Sequence, residues 1–214
     1  MSRRIRAIAQ MVPDHAILAD IGTDHGYLPI LLAEAGTVQH AYACDVAEGP
    51  LQQAEANICA KGLTESIQTI RSNGLDQVPM DATCAVLAGM GYYTAVGILE
   101  RAMERLDRLD LILVQINADV PMLRKWISDH HFTILKERTV EDRGKYYTAI
   151  GFNTAAHTPY TEEECYAGVP SAIEDREAYL ASVKERIRKI EQILKQGGDP
   201  ARWLKELNAL KAVK

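Results

Sequence analysis

Short apolar segments with the composition of β-strands alternate with helix-patterned segments through about residue 153. Helix-patterned stretches, among them LPILLAEAG and EGPLQQAEANICAKGL, lie between the first five of these strands. Because the strands are almost continuously apolar, the alternation predicts an α/β fold whose mostly parallel sheet is covered by helices on both faces. The seven candidate strands are AILADIG, HAYACD, IQTIRSN, CAVLAG, DLILVQIN, FTILKERTVED and KYYTAIGFN.

The last two candidate strands are joined only by a short turn at Arg143 and Gly144. So short a connection predicts an antiparallel hairpin, because parallel neighbours need a longer crossover. The sheet is therefore expected to be doubly wound and mostly parallel, with an antiparallel hairpin at its end.

The pattern changes beyond residue 173, where apolar residues recur three and four positions apart. This spacing is typical of a coiled-coil seam, and it is formed by Leu180, Val183, Ile187, Ile190 and Leu194. The segment GGDP then supplies a helix stop, a capping aspartate and a proline suited to a first helical turn. Trp203, Leu207 and Leu210 line one face of a second helix. We predict a C-terminal antiparallel coiled-coil helical hairpin.

Two domains follow from this change of pattern. Residues 154–173 contain two prolines and no periodicity, so they are expected to be loop-like. We predict a sheet domain over residues 1–155, and a linker with the helical hairpin over residues 156–214.

Composition narrows the class of protein. The chain has 214 residues, is 47% hydrophobic, and contains no apolar run near the roughly 20 residues that cross a bilayer. The arginines near the N-terminus precede no continuous apolar segment, so no secretory signal is predicted. The four cysteines form no C-x-x-C pair, which indicates neither a metal site nor a disulfide framework. We expect a cytoplasmic protein without membrane or metal partners, and its oligomeric state is left open.

The net charge of −5 is unevenly distributed. Residues 174–214 carry ten lysines and arginines against seven acids, whereas the preceding residues carry 14 against 22. An acidic body does not favour nonspecific nucleic-acid binding, but the basic end leaves local phosphate contacts open. The same charges are also typical of an ordinary solvated helix surface.

The turn after the first strand carries candidate chemistry. A dinucleotide-binding turn reads G-x-G-x-x-G, whereas this turn reads D-x-G-x-D-x-G, with Asp20, Gly22, Asp24 and Gly26. A carboxylate at the middle position would repel a pyrophosphate, so the turn favours a cationic ligand without phosphates, such as S-adenosylmethionine. The alternative is an ordinary strand–turn–helix connection with polar residues.

Three further strand ends fit the same nucleoside. Asp45 ends the second strand, where an acid can accept hydrogen bonds from ribose hydroxyls. SNGLD ends the third strand with residues suited to an adenine edge, and LAGMG ends the fourth with glycines that permit close approach. Carboxyl ends of parallel strands meet at one edge of a sheet, so these residues are expected to lie together.

Nearly the whole chain resembles a known family. The segments RRIRAIAQMVP, LADIGTDHGYLPILL, DVAEGPLQQAEANICAKGL, SNGLD, LAGMG, LVQINADVPMLRKWI and EDRGKYYTAI resemble the bacterial tRNA (adenine-22-N1)-methyltransferases. The resemblance implies a Rossmann-like class I methyltransferase domain, a C-terminal coiled-coil hairpin, S-adenosylmethionine as cofactor and tRNA as partner. It further implies methyl transfer to N1 of adenine 22.

The resemblance also implies a set of cofactor-binding residues. Those around the methionine moiety and ribose are Asp20, Gly22, Asp24, His25, Tyr27 and Leu28. Asp45 and Val46 would hold the ribose, and Asn73, Gly74 and Leu75 the adenine. The region beside the sulfonium would be formed by Ala88, Gly89 and Met90.

The chain departs from the family pattern at two positions. The fourth-strand motif of the family is usually A-G-M-G-G, and here Tyr92 replaces the last glycine. The fifth strand usually ends Q-P-N, and here Ile116 replaces the proline. The resemblance implies that Tyr92 stands where the acceptor base approaches, so its ring would either stack on that base or block it.

Asp24 and Asn117 are the candidate catalytic residues. N1 of neutral adenine already carries a lone pair, so the site has to position the base and to stabilise the charge that develops on it. Asp24 can instead serve the cofactor alone, and Asn117 can simply cap a helix. Arg3, Arg4 and Arg6 could contact RNA phosphates or form an exposed basic turn. Two alternative functions stay open: a noncatalytic cofactor- or RNA-binding protein, and a class I methyltransferase acting on another substrate.

Overall fold

The computed structural model describes residues 2–213 and contains one seven-stranded sheet. Its spatial order is β3-β2-β1-β4-β5-β7-β6, and β7 alone runs antiparallel to its neighbours. The predicted mostly parallel sheet with a terminal antiparallel hairpin is therefore confirmed. The strands are β1 Ala16–Ile21, β2 Val38–Asp45, β3 Ile67–Arg71, β4 Cys84–Met90, β5 Leu111–Ile116, β6 Thr133–Asp142 and β7 Lys145–Asn153.

Helices cover both faces of the sheet. On one face lie α1 Arg3–Ala9, α2 Tyr27–Glu34 and α3 Glu48–Ala60, with one apolar core beneath them. On the other face lie α4 Tyr92–Arg101, α5 Met103–Leu106 and α6 Val120–Asp129, above a second and larger core. Every residue of β5 is buried, as expected for a central strand between two helical layers. The two cores hold the strand ends in fixed positions.

Two connections differ from the predicted pattern. The segment between β3 and β4 contains no helix, because Ser72 closes a turn there by accepting from the Gln77 amide and donating to the Gly74 carbonyl. The stretch YTAVGILERAMERL after β4 has a helical pattern throughout, but its helix breaks at Ala102 and forms α4 and α5.

The linker is more ordered than the loop predicted for residues 154–173. It contains α7 Glu162–Ala167 and a 3₁₀ turn at Pro170–Ala172. Thr161 caps α7 through a capping box with Glu164, and this local signal is legible in the sequence as T-x-x-E. Tyr160, Val169 and Ala172 are buried in the same core as α4 and α6. The linker thus packs on the sheet domain, and the boundary between residues 155 and 156 stays a prediction.

The C-terminal helices α8 Arg176–Lys195 and α9 Pro200–Lys211 form the predicted hairpin. Asp199 caps α9 by accepting from the Ala201 amide at 2.9 Å, and Pro200 occupies its first turn. The two helices share an apolar cluster built on Val183, Ile190, Leu207 and Leu210. Because α9 also packs against α7, the hairpin is joined to the linker, and a coiled-coil supercoil stays a prediction.

A buried ion pair fixes the linker to the sheet. Arg124 of α6 donates from Nη2 to Oε2 of Glu137 on β6 at 2.7 Å, and both side chains are at most 6% exposed. Arg124 also donates to the carbonyls of Cys165 and Tyr166, and the Val169 amide donates to Glu137. Each charge therefore has several partners, which is the condition for a buried pair to hold a structure together.

Within residues 2–213 no helix is both long and apolar enough to cross a membrane. In the same part of the chain, histidine, cysteine and acidic side chains form no cluster of three that could hold a metal ion.

Candidate active site

A cleft of about 420 Å³ opens at the carboxyl ends of β1 to β4. This is where an open doubly wound sheet binds its ligands. Eight of the predicted cofactor residues line the cleft, namely Gly22, Asp45, Val46, Asn73, Gly74, Ala88, Gly89 and Met90. The sequence prediction that four strand ends meet in one place is confirmed in the geometry.

The turn after β1 is built from backbone conformations that favour glycine. Gly22 has φ +75°, and the amides of Gly22 and Thr23 both donate to the Cys44 carbonyl of β2 at 2.9 Å. A side chain at Gly22 would be strained at this φ, although its Cβ would make only ordinary contact with Met90. The turn therefore ties the first strand end to the second, with Met90 of the fourth strand beside it.

Asp20 lies beneath this turn and is buried. The pKa of its carboxyl is raised from 3.8 to about 6, mainly by burial and to a smaller extent by the charges of Asp45 and Asp24. The Thr23 hydroxyl donates to Asp20 Oδ2 at 2.7 Å, and this hydrogen bond lowers the pKa of Asp20. Three carboxyl groups thus surround the first strand end, and their mutual repulsion favours a cation there.

Asp45 ends β2 and lines the cleft. Its Oδ1 accepts from the Ala47 amide at 2.8 Å, which fixes the side chain at the mouth of the cleft. Val46 beside it is 60% exposed. A carboxylate held in this way can accept a hydrogen bond from a ribose hydroxyl.

The third strand end is held by a residue that the sequence did not reveal. Arg101, at the end of α4, donates to Asn73 Oδ1 at 3.1 Å and to the Gly97 carbonyl at 2.9 Å. Ile98 of the same helix lies against Gly74. All four residues line the cleft together with Gly97, so one face of α4 forms a wall of the site.

Gly89 forms a bulge at the end of β4, where the pairing with β5 shifts register. Its φ is +81°, its amide donates to Gln115 Oε1 at 3.2 Å, and its carbonyl accepts from Asn117 Nδ2 at 2.7 Å. Arg4 of α1 donates to Asn117 Oδ1 at 3.4 Å and stacks over the Tyr147 ring. Asn117 therefore links the fourth strand end to the N-terminal helix.

Six of the predicted cofactor residues do not line the cleft. Leu28 and Leu75 are buried in the two apolar cores, and Asp20 lies below the turn. Asp24, His25 and Tyr27 are on the outer side of the turn, where the Asp24 carboxylate is 81% exposed and lies 3.1 Å from His25 Nε2. Asn117 also lies outside the lining, behind Gly89.

The tyrosine at the cleft is Tyr93, not Tyr92. Tyr93 is 81% exposed and lines the cleft, whereas the half-buried Tyr92 ring packs on the core of α4 and α6. Burial raises the pKa of Tyr92, so its phenol stays neutral. Ile116 is buried in the same core. The two residues that depart from the family pattern, Tyr92 and Ile116, therefore pack in the core. The orientation of α4 about its axis places Tyr93 at the cleft instead.

An open, mostly parallel sheet with a glycine turn after its first strand and an acid after its second defines a nucleoside-binding α/β domain. A family model described as a methyltransferase domain matches residues 1–150, and the chain belongs to this family.

Two curated relatives extend the comparison. A putative tRNA methyltransferase of Mycoplasma pneumoniae is 31% identical over 173 residues, which are 77% of this chain and 77% of that protein. The tRNA (adenine(22)-N(1))-methyltransferase of Bacillus subtilis is 28% identical over 151 residues, which are 70% of this chain. The match spans 63% of the length of the Bacillus protein.

Solved structures also resemble the chain throughout, and one of them serves as an example. It is Sp1610 of Streptococcus pneumoniae, a putative tRNA (m1A22) methyltransferase in complex with S-adenosyl-L-methionine. The two are 30% identical with a TM-score of 0.85, over 99% of this chain and 98% of that one.

Proposed function

We propose that this protein is an S-adenosylmethionine-dependent methyltransferase that modifies N1 of adenine 22 in tRNA. The observation that carries the proposal is the cleft at the ends of β1 to β4, with its glycine turn and with three carboxyl groups, Asp20, Asp24 and Asp45, around the first strand end. The names of the Bacillus, Mycoplasma and Streptococcus relatives support the reaction and the tRNA substrate. A tRNA substrate implies work in the cytoplasm.

The cleft fits the proposed cofactor. Its volume of about 420 Å³ lies within the range of about 300–1,000 Å³ usual for small-molecule sites. Asp45 would bind the ribose hydroxyls, and Asn73 and Gly74 would contact the adenine. The three carboxyl groups at the first strand end, Asp20, Asp24 and Asp45, would attract the cationic methionine end, since no lysine or arginine lies among residues 20–28.

When bound, S-adenosylmethionine supplies an activated methyl group on a sulfonium. The protein has to hold the acceptor base in line with that group and to keep water away, because adenine N1 needs no strong base. Methylated adenine is cationic, so the exposed Asp24 carboxylate would stabilise the charge as it develops. Asn117, held between Arg4 and Gly89, is a positioning residue for the fourth strand end.

Incubation with radiolabelled S-adenosylmethionine and unmodified tRNA, followed by nucleoside analysis, tests the proposal. We expect label in 1-methyladenosine at position 22, and loss of both labelling and cofactor binding in Asp45→Ala. Calorimetric binding of the cofactor without label in tRNA would identify the alternative, a cofactor-binding protein that does not methylate tRNA.

A further inference from the structure

A second concavity, of about 500 Å³, lies outside the cleft. It is bounded by α1, by β6 and by the start of α8, and we name it the arginine groove. Its walls contain four arginines and two acids, which are Arg3, Arg6, Arg138, Arg176, Glu174 and Asp175.

One face of α1 supplies the first wall. Residues 3, 6, 7 and 10 all line the groove, and their spacing places them on a single face of a helix. Arg3 and Arg6 are exposed on this face. Among residues 2–213 the Arg6 guanidinium makes no ion pair or hydrogen bond, whereas Arg3 pairs with Glu141 at 3.1 Å in an exposed contact. Such a pair is weak and can be exchanged for another anion.

The two acids in the groove already have partners. Glu174 accepts from Arg138 Nε at 2.9 Å, and Asp175 caps α8 by accepting from the Ala178 amide at 3.0 Å. The N-terminus of α8, a helix of 20 residues, also points its positive dipole end at the groove. Four arginines against two acids give the groove a net positive charge on a domain that is otherwise acidic, so it suits a polyanion.

The arginine groove is continuous with the candidate active site through α1. Arg4, between the two groove residues Arg3 and Arg6, turns the other way and contacts Asn117 beside Gly89. One helical turn rises only about 5.4 Å. A chain of phosphates in the groove would thus run directly past the fourth strand end.

We propose that the arginine groove binds the sugar–phosphate backbone of the tRNA next to the nucleotide whose base enters the cleft. This inference rests on the proposed function, and it assigns to α1, β6 and the start of α8 the role of fixing the RNA strand. Neutralised phosphates release bound counterions, so such binding weakens steeply with salt.

The test compares two double variants of the full chain. Arg3→Gln/Arg6→Gln removes two groove charges. The matched control, Lys61→Gln/Arg108→Gln, also removes one ion-paired charge and one that makes no ion pair among residues 2–213. Lys61 follows α3 and Arg108 precedes β5, and neither lines the groove. Affinity for unmodified tRNA is measured between 50 and 300 mM salt, and affinity for S-adenosylhomocysteine by calorimetry.

We expect the groove variant to bind tRNA about tenfold more weakly at low salt, with a salt slope smaller by about 1.5. Its affinity for S-adenosylhomocysteine and its melting temperature should match those of the control. If the wild type methylates tRNA and the groove variant binds it as the control does, the groove is not the RNA site although the function stands. If the wild type binds tRNA through the groove without methylating it, the groove stands and the function fails. Absence of tRNA binding by the wild type would overturn both.

Discussion

At the scale of single residues, the site depends on carboxyl groups held close together. Asp20 is ionised at neutral pH although it is buried, because its raised pKa of about 6 still lies below 7. The unfolded chain ionises the same group near 3.8, so the folded state binds the proton more tightly. The contribution of Asp20 to stability is therefore greatest below pH 3.8 and falls as the pH rises through 6.

Asp20→Asn should consequently stabilise the protein at pH 7.5. The upper limit is about 3 kcal/mol, at about 1.4 kcal/mol for each unit of pKa. The difference from wild type should shrink as the pH falls towards 4, which urea unfolding at several pH values measures. The same variant should lose affinity for S-adenosylmethionine more than for S-adenosylhomocysteine, which lacks the positive sulfonium. A destabilised variant at pH 7.5 would mean that the Thr23 hydrogen bond outweighs the buried charge.

Tyr93 offers a second test at this scale. An exposed ring on the cleft wall can stack on an incoming base, and such stacking is typically worth about 1–3 kcal/mol. Tyr93→Ala should therefore lower kcat/KM for tRNA about 5- to 150-fold, whereas Tyr93→Phe should retain most of it. Tyr92→Phe is the matched control in the core and should leave the ratio unchanged. Equal activity of Tyr93→Ala and wild type would remove Tyr93 from the acceptor site.

At the scale of helices and strands, the sequence predicts most of the structure. All seven strands and the hairpin of α8 and α9 lie close to their predicted positions, because continuous apolar runs and seam spacing record burial directly. Helix α7 has no buried residue, so its sequence shows no hydrophobic periodicity. Only its N-terminal capping box indicates a helix there. The contact of Arg101 with Asn73 and the exchange of Tyr92 for Tyr93 depend on the rotation of α4, which periodicity alone does not fix.

The ion pair between Arg124 and Glu137 is the test at this scale. Glu137→Gln leaves a buried guanidinium without its counter-charge, and breaking a buried pair in this way costs about 3–5 kcal/mol. The control is Glu174→Gln, which breaks the half-exposed pair with Arg138 and should cost less than about 1 kcal/mol. Thermal and urea unfolding of both variants compare the two costs. Equal costs would show that the buried pair does not tie the linker to the sheet.

At the scale of the whole molecule, the helical hairpin is joined to the sheet domain and carries the basic surplus of the chain. Much of that surplus is paired locally, since Arg186 contacts Glu206, Lys211 contacts Glu191, and Lys205 contacts Glu162 of α7. These pairs weaken the case for a phosphate-binding hairpin. The surfaces that remain for tRNA are the arginine groove at the base of the hairpin and those lysines and arginines of α8 and α9 that form no ion pair within residues 2–213.

A chain truncated after residue 175 separates cofactor binding by the sheet domain from tRNA binding by the helical hairpin. It keeps the buried linker residues, so S-adenosylhomocysteine should bind within about twofold of wild type, because the hairpin contributes nothing to the cleft. Affinity for tRNA should fall and its salt slope decrease, because the lysines and arginines of α8 and α9 are lost. Calorimetry and filter binding measure the two affinities. Unchanged tRNA affinity would assign the hairpin a purely structural role.

The truncation is placed after residue 175 because the linker before that residue lies along the edge strand of the sheet. β6 is the outermost strand, and beyond it the linker supplies a single bridge, in which the Glu174 amide donates to the Glu137 carbonyl at 3.0 Å. An uncovered strand of ten residues would present open amides and carbonyls to any other chain, which is a template for aggregation. The linker therefore covers part of this edge and hinders another chain from pairing with β6. A chain truncated after residue 155 would also lose the linker. We expect it to self-associate through β6, which would prevent a measurement of its cofactor and tRNA binding.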